Sequence, residues 1–370
     1  MHAVPFGRRN LLQDRRRAAL AIGGLSVALV LVLVLEGIFA GALGQVTNYL
    51  RHLPADVIVS QRDVKTMHMS ASALPPETVN EVARVPGVAQ ARAIRFTTNT
   101  IGAGNRRQLS YVIGYDTRSS LGGPNRLTTG HAPRVGEAVL DDVAADQLHV
   151  KAGDDVSVLG RTFRISGLST GGTSITNTTT FIRTEDFAAR RGTALSYILV
   201  SARPGVGGGE LVRRIQAALP TTTAQTRSQM VSQEGHIVRD MSADILQMMT
   251  VIAFVIALAV VALTLFTATN AKLREYAVVK ALGARPRRLV STVMSQAGWT
   301  IGSAFVTSIA LTFGIGVLVG AVSPTVRIVV EPGAVVRLGL VTVVIGLVGA
   351  LIPLRRVFHL DPNSVFRRSS

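Results

Sequence analysis

The sequence predicts a membrane protein of four transmembrane α-helices, with a large α+β extracytoplasmic domain between helices 1 and 2. Three observations predict it. The 370-residue chain holds four apolar runs long enough to cross a bilayer, at 18–43, 244–270, 290–322 and 335–354. Its net charge of +17 is segregated: segments 1–17, 271–289 and 355–370 carry 15 basic and 3 acidic residues, whereas 44–243 carries 22 and 16. Basic excess beside apolar spans marks the cytoplasmic side, so four crossings place both termini inside and 44–243 outside. Finally, 44–243 lacks a long apolar run and mixes short helix and strand patterns. The absence of cysteine excludes a disulfide framework and any thiolate metal site. A charge of this size is compatible with nucleic acid, but its concentration beside the spans assigns it to topology.

Taken in order, residues 1–17 read as a basic amphipathic cytoplasmic segment, with Phe6, Leu11 and Leu12 among Arg8, Arg9, Arg15, Arg16 and Arg17. Arg8-Arg9 also resembles a twin-arginine export signal. The run 18–43 is longer than the core of a cleaved signal, and reads as a retained helix. Glu36 falls near its outer end, as an interfacial carboxylate or a proton relay. Gly37-x-x-x-Gly41 permits close helix packing. In 44–243, helices are expected at 76–84, 142–150, 185–191 and 210–219, the second capped near Asp141. Strands are expected at 88–100, 108–115, 136–141, 155–159, 162–168, 180–184 and 194–202, with Gly160-Arg161 as a hairpin turn. The polar stretch 221–243 reads as a helical stalk returning to the membrane. After the spans 244–270 and 290–322 comes an outer loop, 323–334. The span 335–354 holds Arg337 near its outer end, where it can snorkel to the interface. Glycine spacings Gly298/Gly302 and Gly316/Gly320 mark the third span.

Motifs for catalysis are sparse. No Gly-Lys dipeptide occurs, so the chain has no phosphate-binding loop of the Walker type and is expected to be non-catalytic, with no cofactor of its own. The seven histidines lack ligand spacing, and no metal site is expected. Residues 167–171 match G-x-S-x-G around Ser169. A nucleophile elbow needs a strand before and a helix after, and the Thr-rich stretch that follows is not helical in pattern.

The segment 271–289 is the most informative. Its basic residues, including Lys272, Arg274, Lys280 and Arg285, are opposed only by Glu275. Leu273, Ala277 and Ala281 form a small apolar stripe at i, i+4 and i+8, Gly283 is a natural stop, and Pro286 suits the first turn of the next helix. Two readings are open from the loop alone: an ordinary basic cytoplasmic loop, or a helical knob through which a cytoplasmic motor pushes a permease.

Arg274-Glu275-Tyr276-Ala277-Val278-Val279-Lys280-Ala281-Leu282-Gly283-Ala284 resembles the coupling segment of the MacB/FtsX superfamily of ABC transporter permeases, the type VII or mechanotransmission fold. The tail 353–367 (PLRRVFHLDPNSVFR) resembles that family's ending, and 130–167 its periplasmic core. The resemblance covers nearly the whole chain. It implies a multi-pass subunit of the bacterial cell membrane, present as a homodimer, working with a separate ABC ATPase subunit that supplies ATP. It places ATPase coupling at Arg274, Glu275, Ala277, Lys280, Ala281, Leu282, Gly283 and Ala284. It also implies mechanotransmission from that helix to the external domain, with export or extraction (efflux) of a hydrophobic or amphipathic substrate. An FtsX-like signalling subunit controlling an extracellular partner is the alternative, although the large external domain favours export. An uptake permease is disfavoured, because Glu275 to Gly283 does not fit the E-A-A-x-x-x-G spacing of importers. An anchored enzyme rests on Ser169 alone. Substrate identity is not encoded in any of these motifs.

Overall fold

A computed structural model describes residues 15–119, 121–174, 177–271, 286–323 and 325–358. The chain divides into a helical unit (up to 40, 242–323 and from 327) and a sheet unit (41–241 with 324–326).

Among the described residues the sheet unit has ten strands. In chain order its elements are the end of α1 (Arg15–His52), β1 (Val57–Gln61), α2 (Thr78–Ala83), β2 (Val88–Ala103), β3 (Arg106–Tyr115) and β4 (Leu127–Gly130). Then come β5 (Glu137–Asp141), α3 (Asp142–Leu148), β6 (Asp155–Val158), β7 (Arg161–Ser169), β8 (Thr178–Arg183) and α4 (Thr184–Arg191). Last are β9 (Tyr197–Ala202), α5 (Gly208–Ala218), β10 (Thr222–Thr226) and the start of α6 (Arg227–Ala271). The spatial order is β10-β1-β9-β2-β3-β8-β5-β7-β4, with β6 against β2 and β7. The pairs β3–β8 and β5–β7 are parallel and the others antiparallel.

The 16-residue β2 is the spine. Its first half pairs with β9 and its second with β3. Both faces of the central strands are covered. Val57 and Val59 of β1, with Ile198 and Val200 of β9, face a core closed by α2 and α5 through Val82, Leu211 and Ile215. The alternate residues Ile58, Tyr197 and Leu199 face Tyr49, Leu50 and Leu53 of α1 and Met230 of α6. Period-two alternation therefore sends successive side chains into different cores instead of into core and water. That explains why β9 reads as the continuous run Tyr-Ile-Leu-Val. A third core holds Val112, Leu140, Phe163 and Phe187 beneath α3 and α4.

Most expected elements are present, with three corrections. The turn between β6 and β7 is Leu159-Gly160, one residue earlier than the expected Gly160-Arg161. Both of its residues have positive φ, 52° and 73°, and Val158 pairs with Arg161. That is the backbone a two-residue hairpin of the matching twist requires. The stretch 221–243 is not helical throughout. It opens as β10, paired along its length with β1, and becomes helix only at Arg227. Thr222 and Ala224 are buried there by neighbours that the polar sequence TTAQT does not advertise. The short strands β1 and β4 were also absent from the sequence reading. The cap at Asp141 is as expected, its carboxylate accepting from Val143 N at 3.1 Å.

The helical unit comprises the apolar parts of α1 and α6, with α7 (Pro286–Val322) and α8 (Pro332–Phe358). Three described helices contain stretches long and apolar enough to cross a membrane: Ala18–His52, Ala297–Val322 and Pro332–Gly349. The expected second span, 244–270, lies in α6, whose described apolar stretch Thr250–Leu263 is shorter. The bundle core contains Leu25, Leu29, Leu33, Ala257, Val261, Ala304, Leu338 and Ile345. Gly37 allows close approach, but to a loop and not to a helix. Val329 N donates to Gly37 O at 2.9 Å, and a Cβ on Gly37 would meet Ile328 at 2.7 Å. Gly298, Gly302 and Gly320 have no such neighbour among the described residues; Gly346, against Ile301, does.

Candidate functional site

The expected coupling residues Arg274, Glu275, Ala277, Lys280, Ala281, Leu282, Gly283 and Ala284 lie outside the described residues, as do the amphipathic segment up to 14 and the tail from 359. Described residues resume at Pro286, in α7. The described residues define what such a segment is joined to. The 38-residue α1 and the 45-residue α6 are each continuous. At 1.5 Å per residue they reach about 57 and 68 Å, roughly twice the hydrocarbon thickness of a bilayer.

The sheet-unit ends of both helices are held by specific polar contacts. On α1, Tyr49 Oη donates to Gly122 O at 2.9 Å, and Asn48 Nδ2 donates to Gly171 O. On α6, Glu234 is fully buried and accepts the backbone N–H groups of Met67 and His68, the latter at 2.9 Å. His68 Nδ1 lies 3.3 Å from the same carboxylate oxygen. Burial raises the Glu234 carboxyl pKa, but the hydrogen bonds and charge from His68 and the Met67 N–H outweigh it, and the net shift is downward. The loop that supplies these donors is fixed from the other side by Tyr197, whose hydroxyl lies 3.1–3.3 Å from the carbonyls of Thr66, Met67 and Ser70. The His68 ring packs on Tyr111 and Phe96, at 4.6 and 5.6 Å between centroids. No sequence signal marked this junction, because a lone Glu in a polar stretch looks solvated until its partners, some 166 residues away, are placed.

A second buried carboxylate organises the strand-end loop after β7. Asp141 accepts from Val143 N, from Gly172 N at 2.8 Å and from Thr173 Oγ1. Burial is the largest influence and no cation is among its partners, so its pKa is pushed up to about 6. Ser169, centre of the G-x-S-x-G match, is buried and donates to Leu140 O at 3.3 Å. Residues 170–174, which follow it, are not helical. Neither feature is the exposed hydroxyl on a strand-to-helix turn that an elbow requires.

In the helical unit, Arg337 does more than reach for an interface. Its Nη2 lies 3.4 Å from Glu36 Oε2, joining α1 to α8. Two opposite charges, each near the outer end of an expected span, were the available signal, and reading each alone missed the pair.

Two family models match in tandem. Residues 18–218 match the MacB-like periplasmic core domain and residues 248–362 the FtsX-like permease C-terminal domain. The first alone spans more than half of the chain, and the protein belongs to the MacB/FtsX-like family of ABC transporter permeases. It is a membrane permease with a MacB-like periplasmic α+β domain. Two uncharacterised ABC transporter permeases of Mycobacterium tuberculosis are similar along nearly the whole length. One is 24% identical over 364 residues and the other 22% over 367, each match covering 97% of both chains. Among solved structures, the periplasmic region of MacB from Actinobacillus actinomycetemcomitans is 11% identical, covering 50% of this chain and 94% of its own, with a TM-score of 0.39. The extracellular domain of the noncanonic ABC-type transporter YknZ from Gram-positive bacteria is 13% identical, covering 46% and 99%, with a TM-score of 0.36.

Proposed function

We propose that this permease couples ATP hydrolysis by a separate ABC ATPase subunit to the export or extraction of a hydrophobic or amphipathic substrate, acting as a homodimer. In this reading it crosses the bacterial cell membrane four times, with both termini cytoplasmic. The chain itself hydrolyses nothing, and the ATPase binds at 274–284. One observation carries the reading: α1 and α6 run unbroken from apolar stretches to side chains, Tyr49, Leu50 and Glu234, that are buried in the sheet unit. A continuous helix transmits displacement along its axis with little loss, because each turn is hydrogen-bonded to the next. A movement imposed at a cytoplasmic loop next to α6 therefore has a mechanical route to the sheet unit, which fits work done outside the membrane.

The coupling residues are tested by co-purifying the ATPase subunit with variants. Ala281→Trp overfills the small stripe and Gly283→Val opposes the helix stop, so both abolish association while the chain still inserts. Arg287→Gln does little. Retained binding by Ala281→Trp together with loss in Arg287→Gln would place the coupling site elsewhere. Proteoliposomes holding both subunits then separate export from signalling: ATP-dependent removal of a labelled amphiphile from the outer leaflet supports export. Hydrolysis that moves no amphiphile but switches an extracellular partner supports the FtsX-like alternative.

A further inference from the structure

Between α1, α6 and α8 lies a cavity of about 160 Å³. Each helix lines it with one stripe. Ala28, Leu29, Val32 and Glu36 of α1 stand at i, i+1, i+4 and i+8, as do Arg337, Leu338, Val341 and Ile345 of α8. On α6 the stripe is Thr250, Phe254 and Ala257. The α1 and α8 stripes run in opposite senses, since Glu36 meets Arg337. Both charges therefore stand at one end, and the remaining lining of these two stripes is apolar, over about 6 Å of α1 and about 10 Å of α8.

We propose that this cavity is a binding site for a single-chain zwitterionic amphiphile, with its acyl chain among the three helices and its headgroup at Glu36 and Arg337. Volume sets the chain number. The cavity is close to the roughly 150 Å³ apolar cavity known to take one benzene, so one chain segment enters and two do not. Charge sets the headgroup. Glu36 and Arg337 already neutralise each other at 3.4 Å, with side chains 28% and 70% exposed. A headgroup with one charge would take one side chain of the pair and leave the other without its partner. A zwitterion offers an ammonium to Glu36 and a phosphate to Arg337, so every charge keeps a partner. Away from its charged end the lining of α1 and α8 is apolar, which favours a hydrocarbon occupant there over ordered water. The site as cargo pocket rests on the export reading; as a binding site it stands on the cavity and the ion pair.

The test uses the full-length permease in detergent micelles, without ATPase or ATP, so its failure is distinct from failure of the transport assay. The probe is lysophosphatidylcholine carrying a mid-chain diazirine, with adducts mapped by mass spectrometry. Photolabel should fall on the three lining stripes about tenfold above the exposed positions Val306 and Val317. Unlabelled lysophosphatidylcholine should compete. Phosphocholine without a chain should not, and a fatty alcohol of equal length should compete about tenfold more weakly. Ala257→Phe, which fills the cavity, should remove the preference, with Val341→Phe as the second filling variant if the first does not fold. Glu36→Gln with Arg337→Gln should abolish the advantage over the fatty alcohol. Even labelling of Val306 and the stripes, adducts unaffected by both filling variants, equal competition by the fatty alcohol, or a second copy of the chain crosslinked in the cavity would each overturn the proposal.

Discussion

The sheet unit and the helical unit bury polar groups in opposite ways. In the sheet unit they are pinned across the sequence. Glu234 takes N–H groups of Met67 and His68, Tyr197 fixes the same loop, and Ser110 Oγ meets Thr180 Oγ1 at 2.8 Å. In the helical unit several polar side chains turn back on their own helix. Thr312 Oγ1 donates to Ser308 O at 2.8 Å, Ser308 Oγ to Phe305 O at 2.7 Å and Thr342 Oγ1 to Leu338 O at 2.6 Å. Two contacts reach across helices: Ser26 Oγ to Ala304 O at 3.1 Å, and the Glu36–Arg337 pair. Apolar surface divides the same way. Large exposed hydrophobics such as Leu20, Val306, Val317 and Leu340 crowd the helical unit, while among the described residues the sheet unit shows only Met69, Leu109, Leu127 and Val135. The difference follows from the solvent. Facing water, a domain must bury hydrocarbon and then specify its core by polar contacts. Facing lipid, a helix satisfies its own backbone and gains little by burying one more leucine.

The contrast is broken most severely at Glu234. Glu234→Ala strips two buried N–H donors of their acceptor and should cost about 3 kcal/mol or more of sheet-unit stability. The tyrosines 49, 111, 115 and 197 lie in the sheet unit and the single tryptophan, Trp299, in the helical unit. On a Tyr276→Phe background, which removes the fifth tyrosine, near-ultraviolet dichroism of the tyrosine bands during urea unfolding, against Trp299 emission, therefore reads the two units separately. Equal loss in both signals would refute local pinning.

The two buried carboxylates sharpen the comparison within the sheet unit, because their pH dependences have opposite sign. The Glu234 pKa is lowered from its ordinary 4.5, so its contribution is complete above that pH and is lost as pH falls through the lower folded value. The Asp141 pKa is raised from 3.8 to about 6, so its contribution is complete below pH 3.8 and is lost as pH rises to 6 and beyond. Relative to Asp141→Asn, the parent should lose up to about 3 kcal/mol between pH 4 and pH 7. A stability difference that does not change with pH would contradict this assignment.

In the helical unit the sensitive point is steric. Gly37→Ala drives a methyl onto Ile328 and should cost about 1–3 kcal/mol, with partial rescue by Ile328→Ala in the same chain. Thermal unfolding followed at Trp299 measures both. The smallest effect belongs to Thr342→Val, which removes only a hydrogen bond to the residue's own helix and should cost less than about 1 kcal/mol. A loss as large as that of Glu234→Ala would mean that polar residues specify both units alike.

The long helices and most strands were legible because each has a local cause. The apolar runs, the Asp141 cap and the glycine after Leu159 act within a few residues. So does the coupling motif at 274–284, which was found by resemblance and lies outside the described residues. β10 was missed because TTAQT is polar and acquires its strand character from β1 alone. Its outer edge is closed by Gln216, which donates to Thr222 O at 2.7 Å and accepts from Ala224 N at 3.1 Å, a side-chain amide standing where another strand would pair. Glycine spacing also misled: Gly298, Gly302 and Gly320 of α7 meet no described neighbour, the Gly37 of Gly37-x-x-x-Gly41 meets a loop, and Gly346 carries a close contact without any repeat in its favour.

By itself the sequence determined the family, the apolar helices and the α+β character of the segment between the first two runs, because hydropathy, charge placement and a contiguous motif are written residue by residue. Tertiary structure alone decided that Glu234 meets His68, that Arg337 meets Glu36 and that β2 pairs with two different partners along its length. Those choices join residues up to 301 positions apart. The energy of such a pair depends on the dielectric and the neighbours that folding assembles around it, and a linear pattern carries neither.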